Sequence, residues 1–210
     1  MEFRDLVKAR VSVRQFAPEP VPEAHVREMV RIAGLAPSPN NAQPWQFVAV
    51  TRQSLLKEMA AIVRAKVVTM LPAAVTETAR HARQRVEWYS TFFAEAPLVV
   101  AVVLLPYESV VADALEGSRL TGPQVNAMRG QPDVQAIGAA VEHLLLAATD
   151  LGYGGCWMSG PLVAREALER LLGISPPGRL AAMVAIGRPA GENHAPRDRK
   201  SLDEVLRVIE

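Results

Sequence analysis

The sequence predicts a mixed fold of alternating helices and strands, α+β or α/β, in one domain spanning residues 1–210. Segments 98–105 and 180–186 are short and apolar on both faces, as buried strands are. Segment 135–151 is apolar around most of its helical circumference, so it must be buried on several sides. No interior stretch has a linker's composition, and 210 residues suffice for one sizeable core.

The first half of the chain predicts four helices, a polar loop and a strand. An apolar stripe at helical spacing follows Pro22, a residue suited to the first turn of a helix. Ser54 is the candidate N-cap of the next long helix. In chain order the expected elements are helix 3–9, helix 22–33, loop 37–44, strand 45–50, a helix from residue 54 and helix 76–94.

The second half predicts strands 98–105, 154–158 and 180–186 and helices 135–151 and 164–172. Gly152 fits the C-terminal cap of the first of these helices. Residues 106–133 give a weaker signal, with one candidate helix at 110–115 and several glycines and prolines, so we expect a mobile loop or lid there. A polar tail then leads to a last segment, 202–209.

Composition argues against several classes of function. The formal net charge is +1, so the overall field suggests neither nucleic acid nor an anionic membrane as a partner. The longest apolar run, 98–105, is far shorter than the roughly 20 residues of a membrane span, and the first residues lack a signal peptide's apolar core. We expect a cytoplasmic protein. One cysteine excludes an intrachain disulfide, and four histidines without ligand spacing predict no zinc site.

Arg10, Ser12 and Arg14 alternate with two valines, so an extended backbone would place their side chains on one face. Two guanidiniums and a hydroxyl on one face suit a phosphate dianion, because charge-assisted hydrogen bonds are the stronger kind. Taken alone, however, the pattern is more typical of a solvated basic edge.

Two other segments offer polar groups to a ligand. Asn41 and Gln43 each carry a donor and an acceptor, which a uracil-like ring edge requires, although a turn that satisfies its own amides explains them equally well. Ser159 and Gly160 follow a strand and could present backbone N–H groups. Cys156 has no cationic partner in its motif, which favours a buried structural thiol. Dinucleotide, Walker A and serine hydrolase motifs are absent, so we expect a bound cofactor to supply the chemistry.

In their order along the chain, these segments resemble the nitroreductase family from end to end. The matching segments are Arg10-Val-Ser-Val-Arg14, Ala36-Pro-Ser-Pro-Asn-Asn-Ala-Gln-Pro-Trp45, the helix 135–151, Gly152-Tyr-Gly-Gly-Cys-Trp157 and Arg199-Lys-Ser-Leu-Asp-Glu-Val205. The resemblance implies an α+β fold with a central, mostly antiparallel sheet flanked by helices. It also implies an interwoven homodimer in which two chains bury the helix 135–151.

The resemblance implies that Arg10 and Ser12 bind the phosphate and ribityl chain of FMN, that Arg14 approaches the pyrimidine edge, and that the 158–160 segment lies beside N5 and O4. Residues 37–41 would complete the site of the partner subunit, and the two arginines of the tail would close on the phosphate. The implied FMN-binding residues are Arg10, Ser12, Arg14, Pro37, Ser38, Pro39, Asn41, Gln135, Met158, Ser159, Gly160, Arg197 and Arg199.

The activity implied is an NAD(P)H-dependent flavin oxidoreductase with a ping-pong mechanism and a small-molecule acceptor such as a nitroaromatic or a quinone. No side chain stands out as a catalytic acid or base. Three alternatives stay open: a reductive dehalogenase or flavin-cleaving enzyme on the same scaffold, a non-catalytic FMN-binding protein, and an ordinary α+β domain without flavin. The lid expected at 106–133 would decide between the first alternatives.

Overall fold

A computed structural model describes residues 1–107, 119–191 and 198–209, and element numbers below follow chain order within these ranges. The helices are α1 (Phe3–Ala9), α2 (Glu23–Ala33), α3 (Gln53–Met70), α4 (Glu77–Thr91), α5 (Gly122–Met128), α6 (Pro132–Asp150), α7 (Arg165–Leu172) and α8 (Leu202–Val205). The strands are β1 (Trp45–Val50), β2 (Leu98–Leu104), β3 (Gly154–Met158) and β4 (Arg179–Gly187).

The four strands form one sheet in the order β1-β2-β4-β3, and each neighbouring pair is antiparallel. Every residue of β2 is buried because this strand lies inside the sheet and both its faces are covered. Its valine-rich sequence, apolar on both faces, is the pattern that such a position requires. The prediction of helices flanking a mostly antiparallel sheet is confirmed.

Helices cover both faces of the sheet. Leu98, Val100 and Val102 point toward α2 and α6, and together they form one apolar core. Val99 and Ala101 point the other way, into a second core with α3, α7 and the end of α4. Alternation along β2 therefore assigns its side chains to two cores, one on each side of the sheet.

Helix α6 crosses one face of the sheet. It buries eight residues in the described structure, whereas its outer side carries half-exposed small and apolar residues, among them Gly138, Ala139 and Leu146. The helix begins at Pro132, three residues before the predicted start, because proline suits the first turn. The outer side is apolar, as the sequence indicates, but within the single chain it is only half-buried.

Two further helix boundaries also differ from the prediction. Helix α3 begins at Gln53 after Arg52 and has no side-chain cap, so Ser54 lies inside the first turn. Gln53 Nε2 donates to Ala96 O over 2.7 Å and fixes this helix start to the start of β2. Helix α4 ends at Thr91, before the predicted 94, and continues as a 3-10 turn, Phe92–Glu95.

Residues 106–133 are partly helical, which corrects the loop prediction. Thr121 Oγ1 accepts from Gln124 N while Gln124 Oε1 accepts from Thr121 N, a capping box that begins α5. The candidate helix at 110–115 and Arg197 lie outside the described residues. Of the final segment, 202–209, only α8 is helical. In the three described ranges, no helix is long and apolar enough to cross a membrane.

Candidate functional site

Residues 10–14 run parallel to the edge strand β3. Ser12 forms a bridge with Gly155, and Val13 N donates to Gly155 O over 3.0 Å. Val13 is 1% exposed whereas Ser12 is exposed, so alternate residues face opposite ways as the period-2 pattern predicts. The face that carries Ser12 is therefore fixed to the sheet through main-chain contact with Gly155.

Gly154 makes this close approach possible. A Cβ atom at this position would overlap Val13 Cγ2 and lie 2.7 Å from Val13 Cβ. Any other residue at 154 would push the 10–14 segment away from β3, since real Cβ atoms do not approach so closely. The glycine therefore determines where Arg10 and Arg14 lie.

The two arginines are held by different helices. Arg10 Nε lies 3.7 Å from Glu142 Oε1 on α6, and the arginine side chain is only 18% exposed. The Arg14 guanidinium carbon lies 5.5 Å from the centre of the Tyr89 ring on α4, within cation–π range. A guanidinium has five N–H donors, so each arginine retains donors for a ligand.

Strand β3 leads from Met158, which is buried, through exposed Ser159 to a 3-10 turn at Gly160–Ala164. A Cβ on Gly160 would lie 2.9 Å from Ser90 Oγ, so the glycine lets the turn pack closely on the end of α4. Tyr89 and Ser90 are neighbours in α4, and they contact Arg14 and Gly160 respectively. They connect the cationic segment with the turn after β3.

Ser90 is a site residue that the sequence did not reveal. It is 4% exposed, and in the described part of the chain its hydroxyl has no hydrogen-bond partner. A buried polar group without a partner is costly unless a ligand or water satisfies it. We call Arg10, Ser12, Arg14, Ser90 and the turn at Gly160 the β3 corner.

The loop 37–41 does not lie at the β3 corner. It precedes β1, whose Trp45 is in register with Leu104, whereas Gly155 is in register with Ile186 and hence with Leu98. Trp45 and Gly155 therefore lie three strand spacings apart across the sheet and six residues apart along it, which corresponds to about 25 Å. The 3-10 turn Pro39–Asn41 itself packs against α6, the helix whose Glu142 lies beside Arg10.

The loop satisfies part of its own polarity. Gln43 N donates to Ser38 Oγ over 3.0 Å, and Gln43 Nε2 donates to Asn41 O over 3.4 Å. The Asn41 side chain is exposed and makes no hydrogen bond with any residue that the structure describes. The self-satisfied turn thus accounts for Ser38 and Gln43 but leaves Asn41 available.

The remaining predicted residues are separate from the corner. Gln135 is exposed near the start of α6, and its Nε2 donates to Gly130 O over 2.7 Å. Arg199 is exposed and makes neither a hydrogen bond nor an ion pair within residues 1–107, 119–191 and 198–209. Two residues further on, Ser201 N donates to the Glu204 carboxylate and lowers the pKa of Glu204 below its ordinary value.

The described part of the chain contains no cluster of three or more His, Cys, Asp or Glu side chains that could hold a metal ion. The site instead consists of two guanidiniums, backbone and hydroxyl donors, and an aromatic ring. The donors suit an anionic ligand, and the ring suits a ligand with a planar part.

The fold and the site thus define an α+β protein with a donor-lined corner beside an antiparallel sheet. The family model described as Nitroreductase family matches residues 7–188. The chain therefore belongs to the nitroreductase family.

Three similar proteins illustrate this membership. The crystal structure of a BluB-like flavoprotein from Clostridium difficile 630 is 30% identical, covers 100% of both chains and has a TM-score of 0.86. A nitroreductase with bound FMN from Bacteroides fragilis shares the fold, at 20% identity, a TM-score of 0.70 and coverage of 100% of both chains. The putative NAD(P)H nitroreductase YfhC of Bacillus subtilis is 24% identical over 94% of this chain and 88% of its own length.

Proposed function

We propose that the protein is an FMN-dependent oxidoreductase that uses NAD(P)H to reduce small acceptors such as nitroaromatics or quinones by a ping-pong mechanism. The observation that carries the proposal is the β3 corner, where donors for a phosphate and for a planar polar ring occur together. Family membership and the FMN bound in the Bacteroides fragilis nitroreductase support the choice of cofactor.

The residues present fit FMN. Arg10 and Ser12 would hold the phosphate and ribityl chain, because their donors face outward beside Gly155. Arg14 would face the pyrimidine edge, where a cation stabilises the negative charge of a reduced flavin. The unpartnered Ser90 hydroxyl and the backbone N–H groups at 159–160 supply further donors beside the ring.

When bound, FMN supplies two-electron chemistry: it would accept a hydride from NAD(P)H and deliver the electrons to an acceptor that binds after the nicotinamide has left. In the two-electron reduction of a nitro compound, one nitro group, one NAD(P)H and one proton give one nitroso group, one NAD(P)⁺ and one water. The chain's residues orient the ring and tune its charge, as proteins do for cofactors that carry the chemistry.

We also propose that the functional unit is a homodimer in which residues 37–41 complete the site of the second chain. The position of the loop supports this arrangement, because it precedes β1, whose first residue Trp45 lies about 25 Å from Gly155 across the sheet. Strand β1 has an open edge beside an apolar groove of about 870 Å³. Exposed apolar side chains on α1 and on residues 202–209 are further surfaces that a second copy would cover.

The first experiment tests cofactor binding. Arg10→Ala and Arg199→Ala should each lower the flavin content of purified protein and weaken FMN binding in a fluorescence titration. Arg165→Ala, a change in an exposed arginine at the start of α7, is the matched control and should retain FMN. Unchanged flavin content in both Arg10 and Arg199 variants would contradict the phosphate assignment.

Hybrid dimers test the shared site. Arg10→Ala and Asn41→Ala chains, differently tagged and coexpressed, should form dimers with one intact and one doubly altered site, and hence recover about half of the activity per dimer. If Arg10 and Asn41 served the same chain's site, the hybrid would recover none. Analytical ultracentrifugation of the unmodified protein should show a dimer.

The reaction itself is tested in two steps. Under nitrogen, NADH or NADPH should bleach the flavin, and a nitroaromatic or quinone should restore its oxidised spectrum. A protein that binds FMN but is bleached by neither nicotinamide would be a non-catalytic binder. Flavin loss during turnover in air would instead favour the flavin-cleaving alternative. Release of iodide from an iodophenol would favour the dehalogenase.

A further inference from the structure

The outer face of α4 carries an open pocket of about 330 Å³ lined by His81, Gln84, Arg85, Trp88 and Tyr89. These residues share one helix face because they recur at spacings of three and four. We call it the α4 pocket. Only Tyr89 also contacts the β3 corner, so the proposed cofactor site leaves the other four residues without a function.

The α4 pocket adjoins the β3 corner. Tyr89 lies beneath the Arg14 guanidinium, and the next residue, Ser90, packs against Gly160. A ring held between Arg14 and Gly160 would therefore lie at the C-terminal end of the pocket. The α4 pocket and the proposed ring site therefore share Tyr89 as a common wall.

The pocket has a fixed aromatic wall. The Trp88 ring lies 4.8 Å from the Tyr89 ring in an edge-to-face arrangement and 5.6 Å from that of Phe92, which is buried. Trp88 and Tyr89 are nevertheless 45% and 42% exposed. Contacts on one side thus hold Trp88 in place while part of its surface faces solvent, as a stacking surface for an aromatic ligand requires.

The charge of the pocket comes from Arg85. Two other arginines near the pocket are occupied. Arg83 donates to three carbonyls, one in the last turn of α3 and two just after it, and Arg64 pairs with Glu87 at 2.7 Å. Arg85 makes no hydrogen bond or ion pair within the described ranges. No carboxylate lines the pocket in the described structure, and the Glu77 carboxylate lies 3.6 Å from the His81 ring at its N-terminal end.

We propose that the α4 pocket binds the electron acceptor and selects planar aromatic compounds that carry a carboxylate or another anionic group. The aromatic ring would contact Trp88 and Tyr89, and the anion would bind the unpaired guanidinium of Arg85. This inference rests on the proposed reductase function, because it assigns the substrate class of the same site.

The test compares two acceptors of similar shape, 4-nitrobenzoate and its neutral methyl ester, with FMN-loaded protein. Arg85→Gln should raise KM for 4-nitrobenzoate about fivefold, the upper end of what an exposed ion pair contributes, and leave KM for the ester unchanged. Trp88→Leu should raise KM for both. Arg80→Gln, a change in an exposed arginine of α4 outside the pocket, is the matched control and should alter neither.

A second measurement separates this inference from the proposed function. Quenching of Trp88 fluorescence by 4-nitrobenzoate, with Trp88→Phe as the reference, reports binding with or without turnover. Saturable quenching that is weakened by Arg85→Gln but not by Arg80→Gln would support ligand binding in the α4 pocket. This result would stand even if NAD(P)H failed to reduce the flavin, because that failure would refute only the reductase function. Equal affinity of the unmodified protein and the Arg85→Gln variant, or equal KM values for both acceptors, would overturn the inference.

Discussion

Gly154→Ala should weaken FMN binding without altering any residue that touches the ligand. The new methyl group would overlap Val13 Cγ2 and lie 2.7 Å from Val13 Cβ, and Val13 belongs to the segment that carries Arg10 and Arg14. Overpacking of this kind costs about 1–3 kcal/mol, or roughly 3–9 °C in Tm for a chain of this length. Displacing even one charge-assisted hydrogen bond should weaken FMN binding about tenfold or more.

Thermal unfolding followed by circular dichroism measures the first effect, and a flavin-fluorescence titration measures the second. Gly34→Ala is the matched control, because a Cβ there meets nothing closer than 3.4 Å and this glycine already has helical φ and ψ, −66° and −13°. It should be neutral or slightly stabilising. A Gly154→Ala protein with the Tm and FMN affinity of the unmodified chain would show that Gly154 does not position the arginines.

Three further predictions concern groups around the site. Glu142→Gln removes the carboxylate beside Arg10, so FMN should bind up to about fivefold more tightly at low salt in a calorimetric titration; unchanged affinity would contradict this. Ser90→Ala removes an unpartnered buried hydroxyl, so the free energy of unfolding of flavin-free protein, measured in urea, should stay equal or rise by up to about 1 kcal/mol. FMN affinity should fall, and unchanged affinity would refute the role of Ser90 as a donor. Because the Ser201 hydrogen bond lowers the pKa of Glu204 below 4.5, the cap of α8 should be present above that pH and lost as the pH falls through the lowered pKa. Hydrogen-exchange protection of the Leu206 amide should then decrease in acid, and persistent protection would exclude the cap.

Local patterns were sufficient to predict most of the fold. Strand β3 has the predicted bounds, and β2 ends one residue earlier than predicted. Both strands could be predicted because their apolar composition reflects their burial. The start of α3 could not be predicted, since Gln53 reaches Ala96 on a distant segment. Helix α5 could have been predicted, because Thr121 and Gln124 have capping-box spacing, but the surrounding glycines and prolines favoured a loop.

The site was predictable where chemistry follows spacing. The alternation of Arg10, Ser12 and Arg14 indicated a donor face, and the structure places that face beside β3. The contact of Gly154 with Val13 and the burial of Ser90 depend on segments far apart in sequence, so no local pattern indicated them. The sequence also did not indicate that Glu142 would lie beside Arg10.

The loop before β1 has an unusual backbone conformation at Gln43. Asn40, Asn41 and Gln43 all have positive φ, near 50°, a conformation that asparagine tolerates and that glutamine rarely adopts. Starting β1 would not require this conformation, because an ordinary turn could connect α2 to the strand. Strain of this kind persists where the surrounding structure or a ligand requires it. Asn41 is exposed in this loop, and in the proposed homodimer it would contact the second chain, which the hybrid-dimer experiment tests.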